Sequence, residues 1–453
     1  MKFKSTFILL IVFAVLFGGV YFFESKFKVR KESESKFIEL DSSDIQEIIL
    51  SKENETISFR KDENDDWLIA QPLEAQADNF EVNRLAGDFA ELKIERVVEE
   101  DAGDLDVYEI PRLTVQLFTK TQEDPTVILL GAENPLDKTV FAKRKDEARV
   151  VLVSSRLNEI IEKKVFDFRK KDVFNFESDA VERLSLKAKE FRLDAVKRED
   201  EWFLTSPVSS LAVAGTITGL LNALSSLRAR EFISENRTPE ETQRFRLDRP
   251  DYEVGLELLS SSQKLRFFLN KSGDTVYVST SQSKNIIAVE DSILTTLDKD
   301  ISEYRDKAVT KFYSWQVDQF TLKSGGLEFT LIKDDDSNWN FKTPETAPAD
   351  KDKIEDFLQK LDNLECEEFI DPPFSEKEAS WESPHAIIIL QVDKGGEASE
   401  EITLTVGPLD ESTGKVVINN TRFDYLFRTG TEFLDTFPRS LDDWKPESKP
   451  ENS

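Results

Sequence analysis

Few side chains in this chain of 453 residues could carry out chemistry. A zinc site or a catalytic triad would have to be built around the only histidine, His385, and the only cysteine is Cys366. Three adjacent carboxylates, Asp334, Asp335 and Asp336, lack the alternating spacing, the bend glycine and the distal glutamate of a calcium loop. We therefore predict no catalytic, cofactor-binding or metal-binding residue. We interpret the acidic run as a solvated hairpin tip and Cys366 as a small core residue.

A repeated spacing of tryptophan and proline is the main pattern. Each of three tryptophans is followed five residues later by a proline and 25 residues later by a leucine that ends a helical stripe, and each copy closes near an arginine. A period this long, about 136 residues, indicates tandem domains. The repeat positions are Trp67, Pro72 and Arg169, then Trp202, Pro207 and Arg305, then Trp339, Pro344 and Arg439.

Each repeat predicts one module with a β-hairpin, a helix and an antiparallel sheet. The hairpin tip is acidic, and the helix that follows has one apolar stripe, with Asp78 and Asp350 as N-caps and Val213 at the matching position of the second copy. Gly131 and Gly407 stand at predicted strand ends where the second copy has Asn270. Because glycine and asparagine best tolerate left-handed backbone, we predict a positive φ at these positions.

The repeated tryptophans allow two interpretations. They could form a sugar-stacking platform, or they could be buried against the helix of their own module. An apolar residue two positions after each tryptophan favours the buried interpretation.

Residues 6–23 form an 18-residue run without a charge, which predicts a transmembrane helix. Tyr21, Phe22 and Phe23 close the run where a cleaved signal peptide would need small residues, so an uncleaved anchor is favoured. Four basic residues between positions 26 and 31 outnumber Lys2 and Lys4, which by the positive-inside rule favours a cytoplasmic body. A short N-terminal tail before a lone anchor is nevertheless the usual layout of a signal-anchored protein. We predict a single-pass protein of the inner (cytoplasmic) membrane with its C-terminal body outside the cytoplasm.

The chain as a whole is acidic, with 89 Asp and Glu against 60 Lys and Arg and a net charge of −29. Nucleic acid is therefore not an expected partner. The predicted fold class is α+β, an N-terminal transmembrane helix followed by three tandem modules. The predicted boundaries are 1–38 for the anchor and a charged stalk, 39–174, 175–310 and 311–444 for the modules, and 445–453 for a disordered tail.

The pattern resembles a bacterial family known as domain of unknown function 4340. In the first copy the resemblance rests on Trp67, Pro72, Asp78, Leu92, Tyr108, Pro111, Gly131, Phe168, Arg169 and Lys171. In the second it rests on Trp202, Pro207, Leu227, Phe245, Pro250, Tyr304, Arg305 and Lys307, and in the third on Trp339, Pro344, Asp350, Leu364, Trp381, Pro384, Gly407 and Arg439. The resemblance implies a single-anchor envelope protein, associated in many members with the permease-like subunits of gliding-type ABC exporters. The family has no assigned catalytic residues.

From these observations we predict a non-enzymatic accessory or scaffold subunit of an envelope complex, with an ABC-type exporter as the expected multi-span partner and no cofactor. The alternatives are a binding module for envelope glycan or peptide and an uncharacterised hydrolase. An exposed cleft lined by Trp or Tyr at a module junction would favour the glycan binder, and a large acid-rimmed apolar face would favour a protein partner.

Overall fold

The structure is a computed structural model. The residues it describes are 36–189, 191–259, 261–375, 381–393, 395 and 399–446. The predicted membrane span, residues 6–23, lies outside these ranges, as do residues 447–453 of the predicted tail. In the ranges that are described, no helix is long and apolar enough to cross a membrane.

The chain divides into two compact units, Met1–Lys171 and Asp172–Ser453. The first unit contains one module and the second contains two. The first module consists of strands β1 Ile45–Ser51, β2 Thr56–Lys61, β3 Trp67–Gln71, β4 Ala75–Gln76, β5 Arg96–Glu99, β6 Leu113–Thr119, β7 Thr126–Glu133, β8 Val140–Arg144 and β9 Val150–Val153, with helices α1 Asn79–Ala90, α2 Leu157–Glu162 and α3 Val165–Phe168.

The second and third modules repeat this order of strands. The second has β10 Val181–Lys187, β11 Arg192–Arg198, β12 Glu201–Ser206, β13 Ser210–Leu211, β14 Glu231–Ser234, β15 Tyr252–Leu258, β16 Ser261–Ser272, β17 Thr275–Thr280 and β18 Ile286–Val289, with α4 Ala214–Ser225, α5 Pro239–Arg244 and α6 Ile293–Leu297. The third has β19 Val317–Ser324, β20 Leu327–Lys333, β21 Trp339–Thr343, β22 Ala347–Pro348, β23 Glu368–Ile370, β24 Ala386–Val392, β25 Glu400–Val406, β26 Val416–Asn420 and β27 Leu426–Thr429, with α7 Lys351–Asp362. A 3₁₀ turn precedes the first strand of every module, at Ser42–Asp44, Ser178–Ala180 and Ser314–Gln316.

Each module is one sheet of nine strands with the same topology. In the first module the order is β4-β3-β2-β1-β6-β7-β8-β9-β5, and the other two sheets follow the same pattern. Two antiparallel meanders therefore meet where β1 pairs with β6. The helix α1 links β4 at one edge of the sheet to β5 at the other.

The long helix of each module is held by its apolar stripe and by its cap. In α1 the stripe Val82, Leu85 and Phe89 is buried in the core of the first module. The Asp78 carboxylate accepts hydrogen bonds from the backbone N–H groups of the first turn, and Asp350 does the same for α7, whereas Val213 offers no side-chain cap to α4. The predicted caps are confirmed.

The three repeated modules are confirmed, but the fold is mostly β and not α+β. The strand β5 illustrates why the sheet content was underestimated. All four of its residues, Arg96–Glu99, are exposed. Because no face of this strand is buried, its sequence does not alternate between apolar and polar residues, and such alternation is the signal from which a strand is predicted.

The modules also begin slightly earlier than predicted. In each module a short segment before the first strand pairs in antiparallel fashion with the segment that follows the long helix. The backbone N–H groups of Phe37, Val173 and Val309 donate to the carbonyl groups of Leu92, Leu227 and Leu364 at 2.8, 3.1 and 2.8 Å. Phe37 and Ile38, predicted as the end of a charged stalk, are buried in the first module's core.

The positive φ predicted for Gly131, Gly407 and Asn270 is wrong, since none of them adopts it. Gly131 lies within β7, and a Cβ atom there would come within 2.2 Å of the Tyr108 carbonyl oxygen. Close approach of two chain segments therefore requires this glycine. In the second module the Asn270 side-chain amide donates to the Phe245 carbonyl oxygen at 3.1 Å, so a hydrogen bond links the corresponding segments.

Candidate functional site

The three repeated tryptophans are core residues. Trp67 and Trp339 are 1% exposed and Trp202 is 5% exposed. The Trp67 Nε1–H donates to the Asn83 side-chain oxygen at 2.7 Å, whereas the Trp339 Nε1–H is buried without a hydrogen-bond partner. Burial leaves no ring face open to a sugar, so these residues do not form a stacking platform.

The repeated prolines end the tryptophan-bearing strands. The peptide bonds Gln71–Pro72, Ser206–Pro207 and Thr343–Pro344 are all cis. Each bond follows directly on the last residue of β3, β12 or β21. The shared spacing of tryptophan and proline thus marks the same turn in every module.

The arginine that closes each repeat is buried in two modules and replaced in the third. Arg169 and Arg305 pair with Ala77 and Ala212, the residues two before each helix. The residues just before these arginines, Phe168 and Tyr304, accept hydrogen bonds from Asp78 N–H and Val213 N–H, and in the third module Trp444 accepts the equivalent bond from Asp350 N–H.

The prediction for Arg439 is therefore wrong, because Lys445, directly after Trp444, occupies the repeat position. Arg439 is exposed, and its backbone N–H donates to Asp443. The closing segment is equally long in all three modules, since Phe168, Tyr304 and Trp444 each lie 15 residues after the end of β9, β18 and β27; the extra residues that shift the repeat therefore lie before β27.

Arg305 fixes the junction between the second and third modules, which lie in the same compact unit. Its guanidinium group donates two hydrogen bonds to the Asp371 carboxylate, both at 2.8 Å, and its side chain is 6% exposed. The guanidinium carbon also lies 3.8 Å from the centre of the Phe369 ring and 5.1 Å from that of Tyr425. A planar, bidentate and stacked arrangement of this kind fixes both distance and orientation.

Further contacts of the same junction leave no free linker. Arg305 pairs with Ala212 of the second module, and Ala308, three residues later, pairs with Glu365 of the third. The Tyr425 hydroxyl accepts a hydrogen bond from the Leu211 N–H at 3.3 Å, and burial raises the pKa of Tyr425 to about 12.

A cleft of about 390 Å³ lies between the same two modules. One wall is the hairpin tip of the second module, with Glu199 and Glu201, and the other wall belongs to the third module, with Lys311, Tyr313 and Arg422. The hairpin tip is a two-residue turn in which Glu199 and Asp200 have φ values of 47° and 67°. Left-handed backbone at two consecutive positions is the geometry of a type I′ turn.

The residues singled out for possible chemistry do not converge. His385 is exposed directly before β24, and Cys366 is buried in the core of the third module, where burial raises the pKa of its thiol to about 11. Asp334 lies at a hairpin tip, where hydrogen bonds from the Asn338 backbone and neighbouring groups lower the pKa of its carboxyl. Nowhere in the described part of the chain do three His, Cys, Asp or Glu side chains come together as metal ligands would.

Comparison with models of known protein families identifies a family with which this chain shares its repeats. The profile described as "Domain of unknown function (DUF4340)" matches residues 67–208 and 202–384, so each match begins at a repeat tryptophan. The chain belongs to the DUF4340 family. No curated protein matches it.

Solved structures similar to this DUF4340 protein include sliding clamps of Pseudomonas aeruginosa. The DNA polymerase III subunit beta is 7% identical, with 85% of this chain and 91% of that chain covered, at a TM-score of 0.14. The DNA polymerase sliding clamp with ligand is also 7% identical, with 87% and 93% covered, at a TM-score of 0.15. TM-scores this low do not indicate a common fold.

Two exposed aromatic residues, which occur in the third module alone among the three repeats, were not identified from the sequence. In the 3₁₀ turn before the first strand, the third module carries Tyr313 and Trp315, both exposed. The same turn carries Asp41 and Ser43 in the first module and acidic residues in the second. Comparing the aligned repeats position by position would have identified this difference.

Proposed function

We propose that this DUF4340 protein is a non-enzymatic, membrane-anchored accessory subunit of an envelope complex, and that its partner is an ABC-type exporter. The observation that carries the proposal is the junction between the second and third modules. Arg305 and Asp371 join the two sheets without a linker. Domains connected by flexible linkers can change their spacing, whereas a buried bidentate pair holds it, as a subunit that positions other proteins requires.

The anchor is the second part of the proposal. Residues 6–23 are uncharged and long enough to span a bilayer, and Gly18 and Gly19 would let another helix approach closely. The chain would then contact the spans of an exporter through this helix and present its three modules outside the cytoplasm. The acidic body, with a net charge of −29 over the whole chain, disfavours adsorption to an anionic membrane surface.

Affinity purification of the full chain in mild detergent tests this function. We expect a multi-span membrane protein of transporter type to co-purify in constant proportion. A matched variant in which residues 6–23 are replaced by an unrelated apolar helix should reach the membrane equally well but recover less of the partner. Isolation of the full chain as a free monomer that turns over a small substrate would contradict the proposal.

A further inference from the structure

We propose that the cleft between the second and third modules binds a neutral saccharide, which stacks on an aromatic pair formed by Tyr313, a lining residue of the cleft, and Trp315, which packs against Tyr313. The inference goes beyond the scaffold role and takes from it only the location of the body in the envelope, where such saccharides occur. The experiment below uses purified protein and does not depend on an exporter partner.

Tyr313 and Trp315 are exposed aromatic side chains in an otherwise polar neighbourhood. They are 62% and 71% exposed, their ring centres lie 6.0 Å apart, and their planes deviate by only 11° from parallel. Rings at this distance and angle stack on each other, so the pair leaves its outer faces and edges open to solvent. The flat apolar face of a pyranose can stack on such a surface, since aromatic faces attract the weakly positive C–H groups of the sugar.

The turn that presents these rings is held in place. The Tyr313 N–H donates to the Gln316 side-chain oxygen at 3.2 Å, and the Ser314 N–H donates to the Asp362 carboxylate at 3.1 Å. On the other side, Lys333 donates to the Trp315 carbonyl oxygen at 3.4 Å. A platform fixed before the ligand arrives loses little conformational entropy on binding.

The other two modules show that the fold does not require aromatic residues here. In the first module Asp41 stands at the position of Tyr313 and caps the turn by accepting a hydrogen bond from the Ser43 N–H at 2.9 Å. In the second module the two positions are Glu177 and Asp179. Exposed Tyr and Trp are unfavourable in water compared with such residues, so their presence only in the third module points to a ligand.

The rest of the cleft offers both hydrogen-bond donors and acceptors. Lys311 and Arg422 supply donors, and Glu199 and Glu201 supply acceptors from the opposite wall. Arg422 forms an ion pair with Glu400 at 3.2 Å, and Lys311 forms one with Asp306 at 2.8 Å, so both cations are already partly neutralised.

The presence of both donors and acceptors in the cleft favours a saccharide over a charged ligand. Every sugar hydroxyl can donate and accept, which suits a site with both kinds of group. A basic peptide would require acceptors alone, and an anionic ligand would require donors alone. The bidentate contact of Arg305 keeps the two walls at a fixed separation, as recognition of a small rigid ligand requires.

Titration of the full chain in detergent with tetramers of glucose and of N-acetylglucosamine tests the site. We expect a saturable change in tryptophan fluorescence with at least one tetramer, because Trp315 passes from water to a stacked environment. The substitutions Tyr313→Glu and Trp315→Asp introduce the residues of the second module and should each weaken binding at least about tenfold at an unchanged melting temperature. Phe80→Asp, at an exposed aromatic residue of the first module, is the matched control and should leave binding unchanged.

A further variant, outside the third module, keeps the test decisive if substitutions at Tyr313 or Trp315 destabilise that module. Glu199→Gln lies on the hairpin of the second module and should also weaken binding. Absence of saturable binding by both tetramers overturns the inference, as does binding that none of the substitutions at Tyr313, Trp315 and Glu199 changes. Binding of a lysine-rich peptide in place of both tetramers would instead assign the cleft to a protein partner. Co-purification with an exporter is measured separately, so failure of either proposal can be recognised.

Discussion

Replacing Arg305 by alanine should destabilise the unit that contains the second and third modules. The guanidinium group is 6% exposed and shares two hydrogen bonds of 2.8 Å with Asp371, whose side chain is 32% exposed. Removing one member of a buried pair typically costs about 3–5 kcal/mol, because the other charge stays behind without its partner. Water reaches the exposed part of Asp371, so we expect the lower end, about 3 kcal/mol.

Urea unfolding followed by tryptophan fluorescence measures this loss. Arg439→Ala removes an exposed arginine from the same unit and should change the free energy of unfolding by less than about 0.5 kcal/mol. Arg305→Lys keeps the charge but loses the planar fork and the stacking on Phe369, so it should fall between the two. A cost for Arg305→Ala no larger than that of the control would refute the assignment of Arg305 as the fixed point of the junction.

Three further predictions concern the modules separately. Trp67→Phe should cost about 1 kcal/mol more than Trp339→Phe in urea unfolding, because the first substitution breaks a hydrogen bond to Asn83 whereas the second removes an N–H group that is buried without a partner. Val213→Asp should stabilise the second module by about 1 kcal/mol by supplying the cap that α4 lacks, and an unchanged unfolding midpoint would contradict this reasoning. Cys366 should resist thiol reagents at pH 8 until the chain unfolds; because burial raises the pKa of its thiol to about 11, its contribution to stability should be complete below about pH 9 and decline as the pH rises toward 11.

Local spacing explains why much of each module could be predicted from sequence. The caps Asp78 and Asp350 act on N–H groups within three residues, so their role is visible in a short stretch of sequence. The repeat of tryptophan and proline likewise describes one turn. Three copies of the same pattern made the predicted elements mutually consistent.

Contacts between distant segments explain what the sequence did not reveal. The need for Gly131 arises from the Tyr108 carbonyl oxygen, which lies on a separate segment. The role of Arg305 depends on Asp371 and Phe369 in the following module. Lys445 instead of Arg439 closes the third repeat because extra residues before β27 alter the spacing. The cleft, too, is assembled from two modules, so no single stretch of sequence contains it.

Protease treatment of intact spheroplasts tests most directly the proposal that the three modules lie outside the cytoplasm on one membrane tether. An antibody against the third module would follow the full chain, with a cytoplasmic protein as the control for intact cells. We predict that protease added from outside digests the body, residues 36–453, while the cytoplasmic control remains whole. Protection of the body until the membrane is lysed would place it in the cytoplasm and contradict the account.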